Sequence, residues 1–106
     1  MDANTLIKLT RQWGRQKGIT GELGCGTQAG QYRKLVEEVG ELGQALIAND
    51  SVETIDAIGD IAVVLILLAD MKGLKLEYCL ESAFDVIQHR KGRMVNGVFV
   101  KEGGAD

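Results

Sequence analysis

The sequence predicts an all-α protein, a helical bundle of about four helices with a short C-terminal β-hairpin. Three observations carry this. Proline is absent while glycine occurs 14 times, which suits helices parted by glycine-rich connections better than a sandwich of short strands. Hydrophobic residues make up 45% of the chain and aromatic residues only 5%, so the core is aliphatic. Apolar residues also recur at helical spacing in four separate segments.

The first helix is expected over residues 3–17, with Leu6, Ile7, Leu9 and Trp13 on its apolar positions. A connector follows, GITGELGCGTQAG, residues 18–30. No strand precedes its glycines and no Gly-Lys-Ser/Thr follows them, which excludes a P-loop and a dinucleotide fingerprint. A mobile flap over a site is expected there instead. The second helix is expected over 31–48, where Leu35, Val39, Leu42 and Leu46 form one stripe. The third opens at Asp50 or Ser51 and stops at Lys72-Gly73. Its run from Ile61 to Ala69 is apolar all round, as in the central helix of a bundle. The fourth is expected over 75–91, turning Leu76, Leu80, Ala83, Phe84 and Ile87 inward, with Gly92 as its stop. Residues 93–101 hold Asn96-Gly97 between short apolar pairs, the signal of a hairpin. Strands this short need a surface to pack against. The whole reads as one domain over 1–106, small enough to complete its core by oligomerising through its helices.

Charge is unevenly spread. Residues 1–34 carry six bases and two acids, residues 35–60 seven acids and no base, and residues 90–106 a net +2. A polynucleotide-binding surface would show a basic excess, so no nucleic acid polymer is expected as a partner. Acid flanked by base suits a site that holds cations beside groups that hold anions. Cys25 and Cys79 lie far apart without metal-ligand spacing and are expected as free thiols of a reducing compartment. The N-terminal stretch lacks the apolar run of a secretion signal, and Ile61 to Ala69 is about half a membrane span. A soluble, cytoplasmic protein with no membrane partner is expected.

On a helical wheel Glu38 borders the stripe of helix two, Glu41 follows one turn on, and Glu37 points further toward solvent. In helix three, Glu53, Asp56 and Asp60 share a face that becomes hydrophobic at Val63, Val64 and Leu67. Unpaired carboxylates beside a core are costly, and crowding them raises their pKa values. Two readings stay open at this point. One is a solvated acidic face. The other is a hard-cation site, in which Glu38/Glu41 and Asp56/Asp60 converge from adjacent helices on Mg²⁺. A di-iron centre is disfavoured, because His89 is the single histidine and no Glu-x-x-His occurs.

Glu37-Glu38-Val-Gly-Glu41 followed by Asp56-Ala-Ile-Gly-Asp60 resembles the EExxE…ExxD signature of MazG-like all-α nucleoside triphosphate pyrophosphohydrolases, in their short single-domain phage and bacterial form. Trp13, the approach Gln31 to Lys34, and the tail from Arg90 to Lys101 extend the resemblance over nearly the whole chain. One departure stands out. The family's second motif has Glu three residues before the Asp, where this chain has Ala57, so Asp56 or Glu53 is left as the fourth ligand.

The resemblance implies hydrolysis of an NTP or dNTP between its α and β phosphates, giving the monophosphate and pyrophosphate. It implies Mg²⁺, with Mn²⁺ as a substitute, on Glu38, Glu41, Asp60 and Asp56. Glu37, Glu38 and Glu41 would be the catalytic glutamates, with Glu37 or Glu41 activating the water. Lys34, Arg90, Lys91 and Arg93 would bind phosphates, Trp13 would stack on the base, and Asn96 would touch the ligand. Plainer roles compete: helix C-terminal capping for Arg90 and Lys91, core packing for Trp13, and turn chemistry for Asn96. A homodimer or homotetramer is implied. The competing function is a non-catalytic nucleotide- or cation-binding bundle that acts through a partner.

Overall fold

Three helix starts are set by one side chain each. In the computed structural model, which describes residues 1–103, Asp2 accepts a hydrogen bond from the Thr5 amide at 2.8 Å and opens α1, Ala3–Gln16. Thr27 accepts from Gly30 at 3.0 Å and opens α2, Gln28–Ile47. Asp50 accepts from Glu53 at 3.1 Å and opens α3, Ser51–Met71. The fourth helix, α4, Leu76–Ile87, starts after Lys75 without such a cap.

The same three helices also end alike. Each is followed by a residue in the left-handed conformation: Gly18 at φ 76°, Asn49 at 54° and Gly73 at 71°. The next amide then returns to a carbonyl five residues back, Ile19 to Gly14 at 2.9 Å, Asp50 to Ala45 at 3.0 Å and Leu74 to Ala69 at 2.8 Å. Strands β1, Gly92–Val95, and β2, Val98–Lys101, pair antiparallel with Met94 opposite Phe99. Positive φ at both Asn96 and Gly97 marks the tight turn between them. The element order is thus four helices and a hairpin, as the sequence predicts.

α3 is the axis of the molecule. It supplies Ala57, Val64, Ile66, Leu67 and Ala69 to the buried core, which Ala45 of α2 completes. The connection Ala48–Asp50 folds α3 back along α2, while α1 and α4 also lie against α3. α1 comes close because Gly14 has no side chain: a Cβ there would run into Leu67. Two ion pairs fix it. Arg15 grips Asp70 of α3 through Nε at 3.0 Å and Nη2 at 2.6 Å, and the buried Arg11 pairs with Glu77 of α4.

Several expectations are corrected. α2 begins three residues before Gln31, because Thr27 caps it. α4 ends at Ile87 and not at Lys91, so Gly92 opens a strand and does not stop a helix. Arg90 and Lys91 therefore lie outside the helix. The inward face expected of α4 is open, with Leu80, Phe84 and Ile87 at least half exposed. Leu6, Leu9 and Trp13 of α1 and Val39 and Leu46 of α2 are also exposed. The common cause is that these apolar faces meet no partner within one chain. Cys25 and Cys79 are exposed free thiols. Among the described residues no helix is long and apolar enough to cross a membrane.

Candidate active site

The α2/α3 pair carries an acidic row whose centre is Glu38. This residue is 4% exposed, one turn from Lys34, whose Nζ lies 3.3 Å from Glu38 Oε1. Its other oxygen, Oε2, is buried without a hydrogen-bond partner among the described residues. Such an orphaned carboxylate oxygen costs free energy unless something positive reaches it.

Glu41, one turn further on, is exposed. The neighbouring Glu38 carboxylate, which would accept a hydrogen bond from a protonated Glu41, and then the Glu38 charge raise its pKa above the usual carboxylate value, and Asp60 adds to this. Asp60 is half-buried on α3. Burial raises its pKa first, followed by the charges of Asp56 and Glu38. The Lys34 ammonium is held protonated by its hydrogen bond and charge pairing with Glu38, and Glu37 and Glu41 contribute. Glu38, Glu41, Asp60, Asp56 and Lys34 therefore feel one another across the helix pair. Glu37 is exposed and points outward, as the wheel suggests. Ala57 is 3% exposed, so the methyl group sits in the core where the resemblance leads one to expect a carboxylate. Glu53 is exposed one turn nearer the start of α3.

As they stand, no three His, Cys, Asp or Glu side chains among the described residues are gathered closely enough to hold a metal ion. The expected convergence is therefore electrostatic here and not a finished cage. The donor set itself suits a hard cation: oxygen ligands only, one of them buried with no partner, two with raised pKa values.

Trp13 joins two clefts beside this row. One, of about 370 Å³, is lined by Trp13, Leu9 and Asp60; the other, of about 450 Å³, by Trp13, Lys34, Gln31 and the connector residues Cys25 to Thr27. At 44% exposure Trp13 is no core residue, contrary to the plainer expectation for it. The connector does border the cleft, as a flap would. Thr27 carries no site signal in the sequence, and Gln31, which belongs to the approach that extends the resemblance, stands one turn before Lys34 on the same helix face.

The remaining candidates lie elsewhere. Arg90 and Lys91 occupy the connection after α4, Arg93 is in β1, and Asn96 forms the hairpin turn. Neither strand comes within 8 Å of any helix, Cα to Cα, so Arg93 of β1 stands apart from the helix pair that carries the acidic row, as does the hairpin that Asn96 closes.

The model of one family, phosphoribosyl-ATP pyrophosphohydrolase, matches residues 25–91, which is more than half of the chain. That span takes in α2, α3 and α4 and leaves out α1 with Trp13, and the hairpin. No curated protein and no solved structure matches.

Proposed function

Since the chain belongs to the phosphoribosyl-ATP pyrophosphohydrolase family, within the MazG-like all-α NTP pyrophosphohydrolase superfamily, we propose that it cleaves the α–β phosphoanhydride of a nucleoside triphosphate. The products are the nucleoside monophosphate and pyrophosphate. Pyrophosphohydrolysis of a nucleotide follows from the family; the triphosphate substrate and the ion are our reading. The observation that carries the reading is Glu38, a buried carboxylate with one oxygen on Lys34 and the other unpartnered, flanked by Glu41 and Asp60.

Glu38, Glu41 and Asp60 would hold Mg²⁺, or Mn²⁺ in its place. Asp56 is a better fourth donor than Glu53, because its charge already acts on Asp60. A bound ion supplies neutralisation of phosphate charge and a lowered pKa for the attacking water. Every other role falls to the chain itself. Lys34 binds a phosphate oxygen, for which it must exchange part of its pairing with Glu38. Glu41 or the exposed Glu37 takes the proton of the water. Trp13 stacks on the base at the mouth of the clefts, and the connector 18–27 excludes water behind it. We place the protein in the cytoplasm as one domain that assembles as a homodimer or homotetramer, with neither membrane nor nucleic acid polymer as partner.

The test is a turnover screen over NTPs, dNTPs and phosphoribosyl-ATP. Pyrophosphate should be released with Mg²⁺ present and not in EDTA, and Glu41→Gln should lower kcat by about a hundredfold or more. Release of orthophosphate alone, or no turnover on any nucleotide, would sink the proposal. The buried Ala57 favours one second reading, a bundle that binds nucleotide and cation without turning over. Mg²⁺-dependent nucleotide binding without product would select it.

A further inference from the structure

The C-terminal hairpin stands alone. β1 and β2 approach each other and, among the described residues, no helix. Both faces are open: Met94 is 66% and Phe99 43% exposed on one, and Val98 is 60% exposed on the other. A two-stranded hairpin of four-residue strands does not support itself in water, so the fold implies a surface that covers it. The helix leading into it gives the same sign, with Leu80, Phe84 and Ile87 facing solvent.

Apart from its apolar residues and the Asn96 turn the arm is mostly basic, with Lys91 and Arg93 exposed and Glu102, whose amide donates to the Lys91 carbonyl, as its one acid among the described residues. The acidic row has the opposite character. Residues 35–60 contain no Lys or Arg, and Lys34 is the cation paired to Glu38. The polyphosphate of a nucleotide would bring several more negative charges to that row. One chain thus holds an acidic row with no Lys or Arg after Lys34, and a hairpin with Lys91 and Arg93 exposed whose strands lie more than 8 Å, Cα to Cα, from every helix. Two copies can satisfy both deficits at once, by a symmetric exchange in which each arm serves the other copy.

We propose that the hairpin is exchanged between two copies of this chain, lying on the helices of the second copy and setting Lys91 and Arg93 beside that copy's Glu38, Glu41 and Asp60 to bind the phosphates of its substrate. The identity of the anion rests on the pyrophosphohydrolase reading; the docking does not.

Two full-length variants test the exchange. One carries Glu41→Gln, the other Lys91→Ala with Arg93→Ala, and each alone loses turnover. They are unfolded and refolded together at equal amounts. In mixed dimers one site then has intact carboxylates and an intact arm, so about a quarter of wild-type turnover should return, on the order of tenfold above either variant. A mixture no more active than the average of the two overturns the exchange.

Sedimentation without nucleotide reads the docking separately. The wild-type chain should assemble, and Phe99→Asp should shift it to the monomer with its helical circular dichroism intact, since no Cα of either strand lies within 8 Å of a helix Cα of its own chain. A monomeric wild type, or assembly unchanged in Phe99→Asp, overturns the proposal whatever the chain hydrolyses. Assembly through the arm without pyrophosphate release would overturn the assigned reaction alone and leave the docking standing.

Discussion

Glu38, 4% exposed with one oxygen unpaired, costs the folded chain free energy that its exposed partner Lys34 only partly offsets. Glu38→Gln keeps the shape, removes the buried charge, and lets the amide donate to Glu41. Without divalent ions the variant should be more stable than the wild type by about 1 kcal/mol, a rise in Tm of about 4–8 °C. Added Mg²⁺ should raise the Tm of the wild type and leave that of the variant nearly unmoved. A lower Tm for the variant in EDTA would show that the carboxylate is structural. Asp70 is the opposite case. Its carboxyl is held below the ordinary range first by the Arg15 hydrogen bond, against the pull of burial. A lowered folded pKa contributes stability above the unfolded value of about 3.9, and that contribution is lost as pH falls through the folded value. Asp70→Asn should cost about 1 kcal/mol at neutral pH and flatten the acid limb of the stability curve below about pH 4, measured by urea unfolding across pH. An unchanged acid limb would refute the assignment.

At the scale of the element, α1 is held by a glycine and two ion pairs more than by apolar burial. Gly14→Ala drives a methyl group toward the buried Leu67 and should destabilise by about 1–3 kcal/mol, although alanine is the better helix former. A stabilised Gly14→Ala would mean that α1 can shift at no cost. Helix ends were legible wherever a side chain or a glycine sets them locally. Gly73 and the Asn49-Asp50 pair mark their own stops, and Asn96-Gly97 marks its own turn. The start of α2 was hidden because its cap, Thr27, sits in a glycine-rich run, and Gly30 in the first turn is a poor helix former. The end of α4 was hidden for the reverse reason. Gln88 to Lys91 are adequate helix formers, and what removes them is the demand of Gly92 to pair with Lys101, a contact no local pattern announces.

For the whole molecule, the radius of gyration is 16.2 Å, against about 13 Å for a compact chain of this length. The excess is the arm and the unpaired helix faces. The acidic row was legible because both its halves follow helical periodicity on neighbouring helices. The cations from 90 to 93 were legible as residues and not as a place, since their position depends on how the chain end leaves the bundle. That departure has a consequence for how the molecule breathes. A hairpin whose strands lie more than 8 Å, Cα to Cα, from every helix should open without waiting for the helices, so the fold contains two cooperative units of unequal depth. Hydrogen exchange will separate them. In dilute solution the ladder amides of Arg93 and Val100 should exchange through shallow, local opening, while those of Val64 to Leu67 report global unfolding. If a second copy covers the arm, the first set alone should slow as protein concentration rises, which makes the last strand pair a gauge of how often one molecule has met another.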